Sequence, residues 1–228
     1  MADLHEPSVV DEPLRHTPIP EPLARSPIAP PEPVVVQDGW QVSAVRARGE
    51  LTLTDCTPLA KVAVAAHRPG LSRAGLSRAE LNGVRFGRAA RDQAGTLVVG
   101  SGPGEWLLIG PPGQASALEP GDEDVTCVDL THGRALVRLT GDRSVAVLAK
   151  VCGIDFADRF VPDGSALRTA VAAVATDVIR DDRGGARSYL LHCERSSGQY
   201  LFDALLRAGA EIGLEVDGFH GLAPGPPA

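Results

Sequence analysis

Apolar and polar residues alternate with a period of two along much of this chain, and that period predicts strands. Trp40, Val42 and Ala44 share one face of a short run, and Leu51 and Leu53 share a face of the next. PLAKVAVAAHRPG reads as a Val/Ala strand with Lys61 near its start, ended by Pro69-Gly70. TLVVG and EWLLIG read as two strands joined by SGPG, where Gly102 or Gly104 is free to take positive φ. Ala135, Val137 and Leu139 alternate with Leu136, Arg138 and Thr140, as in a half-buried strand. Ser165 to Val171 and Ala175 to Arg180 are two further strand candidates. SYLLHCERS is a clearer one, with Tyr189, Leu191 and Cys193 on one face, and LEVDG supplies a last short strand.

Two stretches switch to helical spacing. SVAVLAKVCG sets Val145, Leu148, Ala149 and Cys152 on one side, with Asp142 placed to cap the first turn and Gly153 to stop the last. SSGQYLFDALLRAGAEIG carries the strongest stripe, Leu201, Leu205 and Ala208, widened by Leu206 and Ile212; Gly209 or Gly213 marks its end. With Ser165–Val171 and Ala175–Arg180 counted as one strand unit before SYLLHCERS, the second half runs strand, helix, strand, strand, helix, strand. That is the order of a β-α-β-β-α-β layer with its helices on one face of an antiparallel sheet. The first half reads as a shorter, irregular version. Its Arg-rich, glycine-broken residues 71–95 are expected to be a loop with short helical pieces, and residues 114–124 are acidic and turn-rich. The fold class is α+β, and no clean internal repeat is visible.

The ends differ from the middle. Residues 1–36 carry nine prolines, six acids and two arginines, so a disordered acidic tail is expected there. Residues 37–220 are expected to form the folded domain, and 221–228, GLAPGPPA, a second disordered tail. Aromatic residues make up only 4% of the chain, so the core must be built mainly from Val, Leu, Ala and Ile. A net charge of -7 and the lack of a Lys/Arg block with interleaved aromatics argue against nucleic acid. No apolar run approaches the ~20 residues of a membrane helix, and no signal peptide is visible. Cys56, Cys127, Cys152 and Cys193 lie far apart without a CxxC pair and read as buried thiols of a reducing compartment, so the expected location is the cytoplasm.

Candidate chemistry is sparse. Gly102-x-Gly104 leads into a strand, which fits neither a P-loop nor a dinucleotide turn, and no GxSxG occurs. His192 and Cys193 are neighbours on one strand and face opposite ways, so they form no simple dyad. Asp129, Thr131 and His132 form a turn just before a strand. It could hold polar side chains over a pocket, or Asp129 and Thr131 could satisfy local backbone donors. Arg134 and Arg138 are spaced to share a strand face. His67, His132 and His192 lie in the body of the expected domain and His220 at its very end, too few and too scattered to assign a metal. No catalytic, cofactor-binding or metal residue is assigned. Trp106, Leu108, Arg134 and Arg138 are candidates for contacts with a partner.

GPGEWLLIGPP, then VDLTHGRALVRLTGDRSVAVLAKVCGIDF, GSALRT and SGQYLFDALLRAGAEIG together resemble the gamma subunits of heterotetrameric sarcosine oxidases, over roughly residues 51–218. The long Pro-rich start and the short stretch between Pro112 and Val125 depart from that pattern. The Lys-Gly-Cys motif of the related iron–sulfur assembly factors is absent. The gamma subunit is in turn similar to the folate-binding region of aminomethyltransferases. The resemblance therefore implies two ferredoxin-like β-α-β-β-α-β halves, the first abbreviated. It implies a noncatalytic subunit that packs on and stabilises the alpha subunit, with beta and delta subunits completing the assembly. Such complexes demethylate sarcosine oxidatively to glycine and hydrogen peroxide and pass the one-carbon unit to tetrahydrofolate. FAD, FMN, NAD, tetrahydrofolate and zinc are then expected on the partner subunits and none on this chain. Two other readings fit the residues: a stand-alone folate-binding or one-carbon-transfer protein with a site near Asp129 to Arg134, and a general interaction scaffold.

Overall fold

A computed structural model describes residues 22–66, 81, 83–118 and 125–221. In chain order the strands are β1 (Ala24–Arg25), β2 (Val34–Gln37), β3 (Trp40–Ser43), β4 (Thr52–Asp55), β5 (Ala60–Ala66), β6 (Ala89–Arg91), β7 (Leu97–Gly102) and β8 (Glu105–Gly110). The short helix α1 (Ala115–Leu118) follows, then β9 (Val125–Asp129), β10 (Arg134–Thr140) and helix α2 (Ser144–Val151). The chain ends with β11 (Ala166–Val171), β12 (Val174–Arg180), β13 (Ser188–Glu194), helix α3 (Gly198–Gly209) and β14 (Glu215–Asp217).

These strands make a six-stranded sheet, β11-β12-β13-β10-β4-β14, and a five-stranded sheet, β6-β7-β8-β5-β9. A small third sheet, β1-β3-β2, sits beside them. The class is α+β with mixed sheets: most pairs are antiparallel, while β14 joins β4 in parallel. The layers follow from alternation. Ala135, Val137 and Leu139 of β10 point to α2 and α3, with Leu148, Leu201 and Leu205 among their neighbours. Leu136, Leu190 and Ile179 point the other way and meet Leu97, Val99, Leu107 and Ile109 of the five-stranded sheet. The outer face of that sheet, Val62, Val64, Trp106 and Leu108, is covered by Leu81, Val84 and Leu118.

The strand pairing departs from two self-contained β-α-β-β-α-β halves. β4 leaves its own half and pairs with β10, while β9 crosses to pair with β5. β14 is pushed to the sheet edge, outside β4. Each sheet therefore needs a strand from the other half of the chain, and neither half could bury its core alone. Among the described residues the first half is the sparser: α1 has 4 residues against 12 in α3.

Residues 22–36 correct the expected tail. β1 and most of β2 lie inside it, and Ile28 is buried against the helix-side core. Gln199 of α3 accepts a hydrogen bond from the Ala29 amide at 2.7 Å. The prolines hide this order, because the apolar residues between them are isolated and show no period. Residues 1–21 and 222–228 of the expected tails lie outside the described residues, as does most of the 71–95 segment's first part.

Turn chemistry is legible where a glycine is needed. Gly104, with φ 76°, takes the positive-φ position in the β7–β8 hairpin. Gly141, between β10 and α2, has φ 123°, and a Cβ there would lie 2.4 Å from the Glu50 carbonyl oxygen. Asp142 does not cap α2; its N-cap is Arg143, without a side-chain cap bond. Gly141→Ala is expected to destabilise the fold by ~2 kcal/mol or more through backbone strain and overlap, read as a lower urea midpoint at unchanged slope.

Candidate functional site

Two turns built alike organise the centre of the molecule. In each, an aspartate at the end of the exchanged strand accepts a hydrogen bond from the amide two residues on: Asp55 from Thr57 at 2.9 Å, and Asp129 from Thr131 at 2.8 Å. Each threonine hydroxyl then accepts an amide of the other half's long strand, Thr131 from Lys61 and Thr57 from Leu136. The residue between closes the same loop, Leu130 donating to the Lys61 carbonyl and Cys56 to the Leu136 carbonyl, both at 2.8 Å. Lys61 and Leu136 are thus structural twins. Both point into the layer between the sheets, but one is an amine and the other a leucine.

Lys61 is fully buried, and its Nζ donates to the Thr57 and Leu59 carbonyls, each at 2.7 Å. In the twin turn Arg195 donates from outside to two carbonyls of the loop, its Nη1 to that of His132 and its amide to that of Gly133, the counterpart of Leu59. Burial drives the Lys61 amine down to about 7, against the pull of Asp55 and Asp129. Burial likewise raises the Asp55 carboxyl, although hydrogen bonds from Ser26 and Thr57 oppose it.

Over the second turn opens a groove of about 800 Å³. Its walls are Pro22 to Arg25, the β2–β3 hairpin at Asp38 to Trp40, the start of α1, the Asp129–His132 turn, and Arg195. Trp40 is buried and stacks on exposed His132, ring centroids 4.8 Å apart and 8° from parallel. Arg195 also donates to the Arg25 carbonyl at 2.6 Å, tying β1 to the turn. The rim mixes charges, Arg25 and Arg195 against Asp38 and Asp129. Such a site can hold a planar polar group beside His132. Asp129 and Thr131 do satisfy backbone donors, and they also line the groove.

The other titratable groups of the interior are committed elsewhere. Asp181, nearly buried, accepts from Arg138 and Arg91 at 2.8 Å and from Arg183 at 3.3 Å. Burial pushes its carboxyl up, but Arg138 and Arg91 outweigh burial and hold it at about 2. His192 lies between the sheets with Nδ1 3.0 Å from Asp177 Oδ2, while Nε2 has no partner among the described residues; Cys193 faces the helix-side core. Burial raises the Cys56 and Cys193 thiols to about 11, which leaves both poor nucleophiles at neutral pH. Among the described residues no three His, Cys, Asp or Glu gather as metal ligands, and no helix is long and apolar enough to cross a membrane.

The four residues proposed as partner contacts do not lie together. Trp106 and Leu108 are 8% and 0% exposed on the outer face of the five-stranded sheet, where the Trp106 indole donates to the Val84 carbonyl at 3.0 Å. They belong to the chain's own interior because Val84 and Leu118 cover that face. Arg134 and Arg138 do share a face of β10. Arg138 is buried on Asp181, and half-exposed Arg134 pairs with Glu194. Lys61 and Arg195 escape sequence reasoning, since a lone lysine in a Val/Ala strand and an arginine before a helix carry no motif. A signal for the twin turns did exist: TLTDCT (52–57) and TCVDLT (126–131) share Thr, Asp and Thr at the same spacing.

No family model matches the chain. Over 135 residues, 58% of this chain and 65% of the relative, it is 29% identical to sarcosine oxidase subunit gamma of Corynebacterium sp. (strain P-1). The match therefore spans slightly less than two thirds of that relative's length. Among solved structures, a chain of the heterotetrameric sarcosine oxidase from Corynebacterium sp. U-96, in complex with pyrrole 2-carboxylate, superposes with a TM-score of 0.60 at 26% identity, covering 74% of this chain and 89% of that one. The glycine cleavage system aminomethyltransferase T from Bartonella henselae gives a TM-score of 0.58 at 16% identity, covering 81% of this chain and 55% of that one, a likeness of fold alone. The chain is thus homologous to the sarcosine oxidase gamma subunit and shares the aminomethyltransferase fold, at modest identity and over part of its length.

Proposed function

We propose that this chain is a gamma-type subunit of a cytoplasmic, heterotetrameric sarcosine oxidase-like complex, holding the assembly together without an active site of its own. The observation that carries this reading is the likeness to a sarcosine oxidase gamma subunit across 135 residues. The interior chemistry supports it: Asp55, Asp129 and Lys61 are spent on backbone groups, and Asp181 on arginines. Alpha, beta and delta subunits are the partners in this reading, and FAD, FMN, NAD, tetrahydrofolate and zinc reside on them. Co-expression with such companion chains, followed by purification through this chain, is expected to yield a yellow complex that consumes sarcosine and releases hydrogen peroxide. Recovery of this chain alone and colourless would overturn the reading.

The groove favours a second reading, a stand-alone folate-binding protein. An exposed imidazole beside two guanidinia suits a planar ligand with carboxylates, which is the chemistry of a reduced folate. Calorimetric titration of the isolated chain with tetrahydrofolate separates the two, since tight binding lost on Arg195→Gln supports only the second.

A further inference from the structure

We propose that the Phe86 slot, at the mouth of the layer between the two sheets, receives an aliphatic side chain flanked by carboxylates, presented by a companion protein chain. This deepens the subunit reading by naming a docking face, and it rests on that reading.

Phe86 is 68% exposed, the most exposed large apolar side chain among the described residues. It stands beside a small apolar slot, about 30 Å³, whose walls include Val99 and Leu107 of one sheet and Leu167 and Ile179 of the other. That space suits the tip of a branched side chain and excludes a ring-sized ligand. The rim is built rigidly. Gly87 donates to the Gly100 carbonyl at 3.0 Å, and Ala166 donates to the Gly87 carbonyl at 3.0 Å, so both sheets hold the Phe86 turn. The turn lies so close to β7 that a Cβ on Gly100 would be 2.2 Å from the Arg85 carbonyl oxygen. A pre-set aromatic beside an apolar hole is the usual form of an interface anchor, because little entropy is lost when it is covered.

Charge selects the occupant. The chain carries a net charge of -7, yet exposed Arg85 and Arg88 flank Phe86 and form no ion pair among the described residues. Arg168 adds a third guanidinium at the rim, held by Asp177 at 3.1 Å. Behind Asp177, the buried His192 Nε2 lacks a hydrogen-bond partner among the described residues. A partner with carboxylates beside its inserted side chain meets two unpaired cations, whereas a basic partner is repelled.

The test has two arms. In the first, the co-expressed complex is purified through this chain carrying Phe86→Ala or Arg85→Glu with Arg88→Glu, with Tyr200→Ala, an exposed side chain of α3, as the control. Companion chains recovered are expected to fall at least about tenfold for the first two and not for the control, all at unchanged melting temperature. In the second, amide NMR spectra of the isolated chain are recorded with the peptide acetyl-Asp-Glu-Leu-Asp-Glu-amide and with its counterpart bearing lysine at each acidic position. Shifts at Val84–Gly87, Val99–Ser101 and Leu167–Arg168 are expected with the acidic peptide only, and are lost in Phe86→Ala. Equal responses to both peptides, no response, or shifts confined to the Asp129 groove overturn the proposal. If Phe86→Ala assembles a flavin complex as well as the wild type, the docking face is wrong and the subunit reading stands. If the acidic peptide maps to the slot but no companion chain is retained, the subunit reading falls and the docking face stands.

Discussion

Replacing Lys61 by methionine is expected to cost about 2–4 kcal/mol of folding stability near pH 9.5, and less at each lower pH. The cost arises from the Thr57 and Leu59 carbonyls, which lose their donor inside the protein; each buried orphan is worth about 1–3 kcal/mol. The pH trend follows from proton linkage. The amine titrates at about 7 in the folded chain against 10.5 when unfolded, so the unfolded state binds its proton first as pH falls. Wild-type stability therefore rises with pH between about 7 and 10.5, at up to roughly 1.4 kcal/mol per unit from this group. Below pH 7 the desolvation penalty is fully present and the lysine's advantage is smallest. The methionine variant lacks this slope. Urea melts of both proteins from about pH 6 to 9.5 measure it, and parallel curves would refute the assignment. The twin position sharpens the comparison: Leu136 stands where Lys61 does, and in that turn the Gly133 carbonyl, counterpart of Leu59, takes its donor from the Arg195 amide instead.

Asp181→Asn is expected to cost about 3–5 kcal/mol, because it leaves Arg138, 11% exposed at the side chain, charged and without a carboxylate in the interior. For a chain of this length that lowers the melting temperature by about 10 °C. The carboxyl is held at about 2 against an ordinary 3.8, so its contribution is full above pH 4 and is lost as pH falls through 2. The asparagine variant should accordingly show a shallower loss of stability on acidification. A melting temperature within a degree or two of wild type would mean that Arg138 and Arg91 are solvated in a way the ion-pair geometry denies.

The period-two and helical patterns carried most element boundaries. SYLLHCERS became β13 with Tyr189, Leu191 and Cys193 on the helix side, as alternation requires, and the Leu201–Leu205 stripe became the buried face of α3. The strands β1, β2, β6 and β9 went unread. Their residues are short, Pro-flanked or half-exposed, so no period stands out: β9 is VTCVD, exposed or half-exposed at every position. At the candidate groove, Asp129, Thr131 and His132 were legible as a polar turn, because Asx-type turns have a local signature. Arg195 and Trp40, which complete the groove, come from opposite ends of the domain and were not.

By itself, then, the amino-acid order determined the α+β class, the hairpins, the two long helices and the sites where glycine must turn the chain, since each depends on residues a few positions apart. The exchange of β4 and β9 between sheets, the twin turns, and the burial of Lys61 and Asp181 were decided by tertiary structure. Those features are pairings between residues distant in the chain, and neither local propensity nor spacing encodes which distant strand offers the free hydrogen-bonding edge.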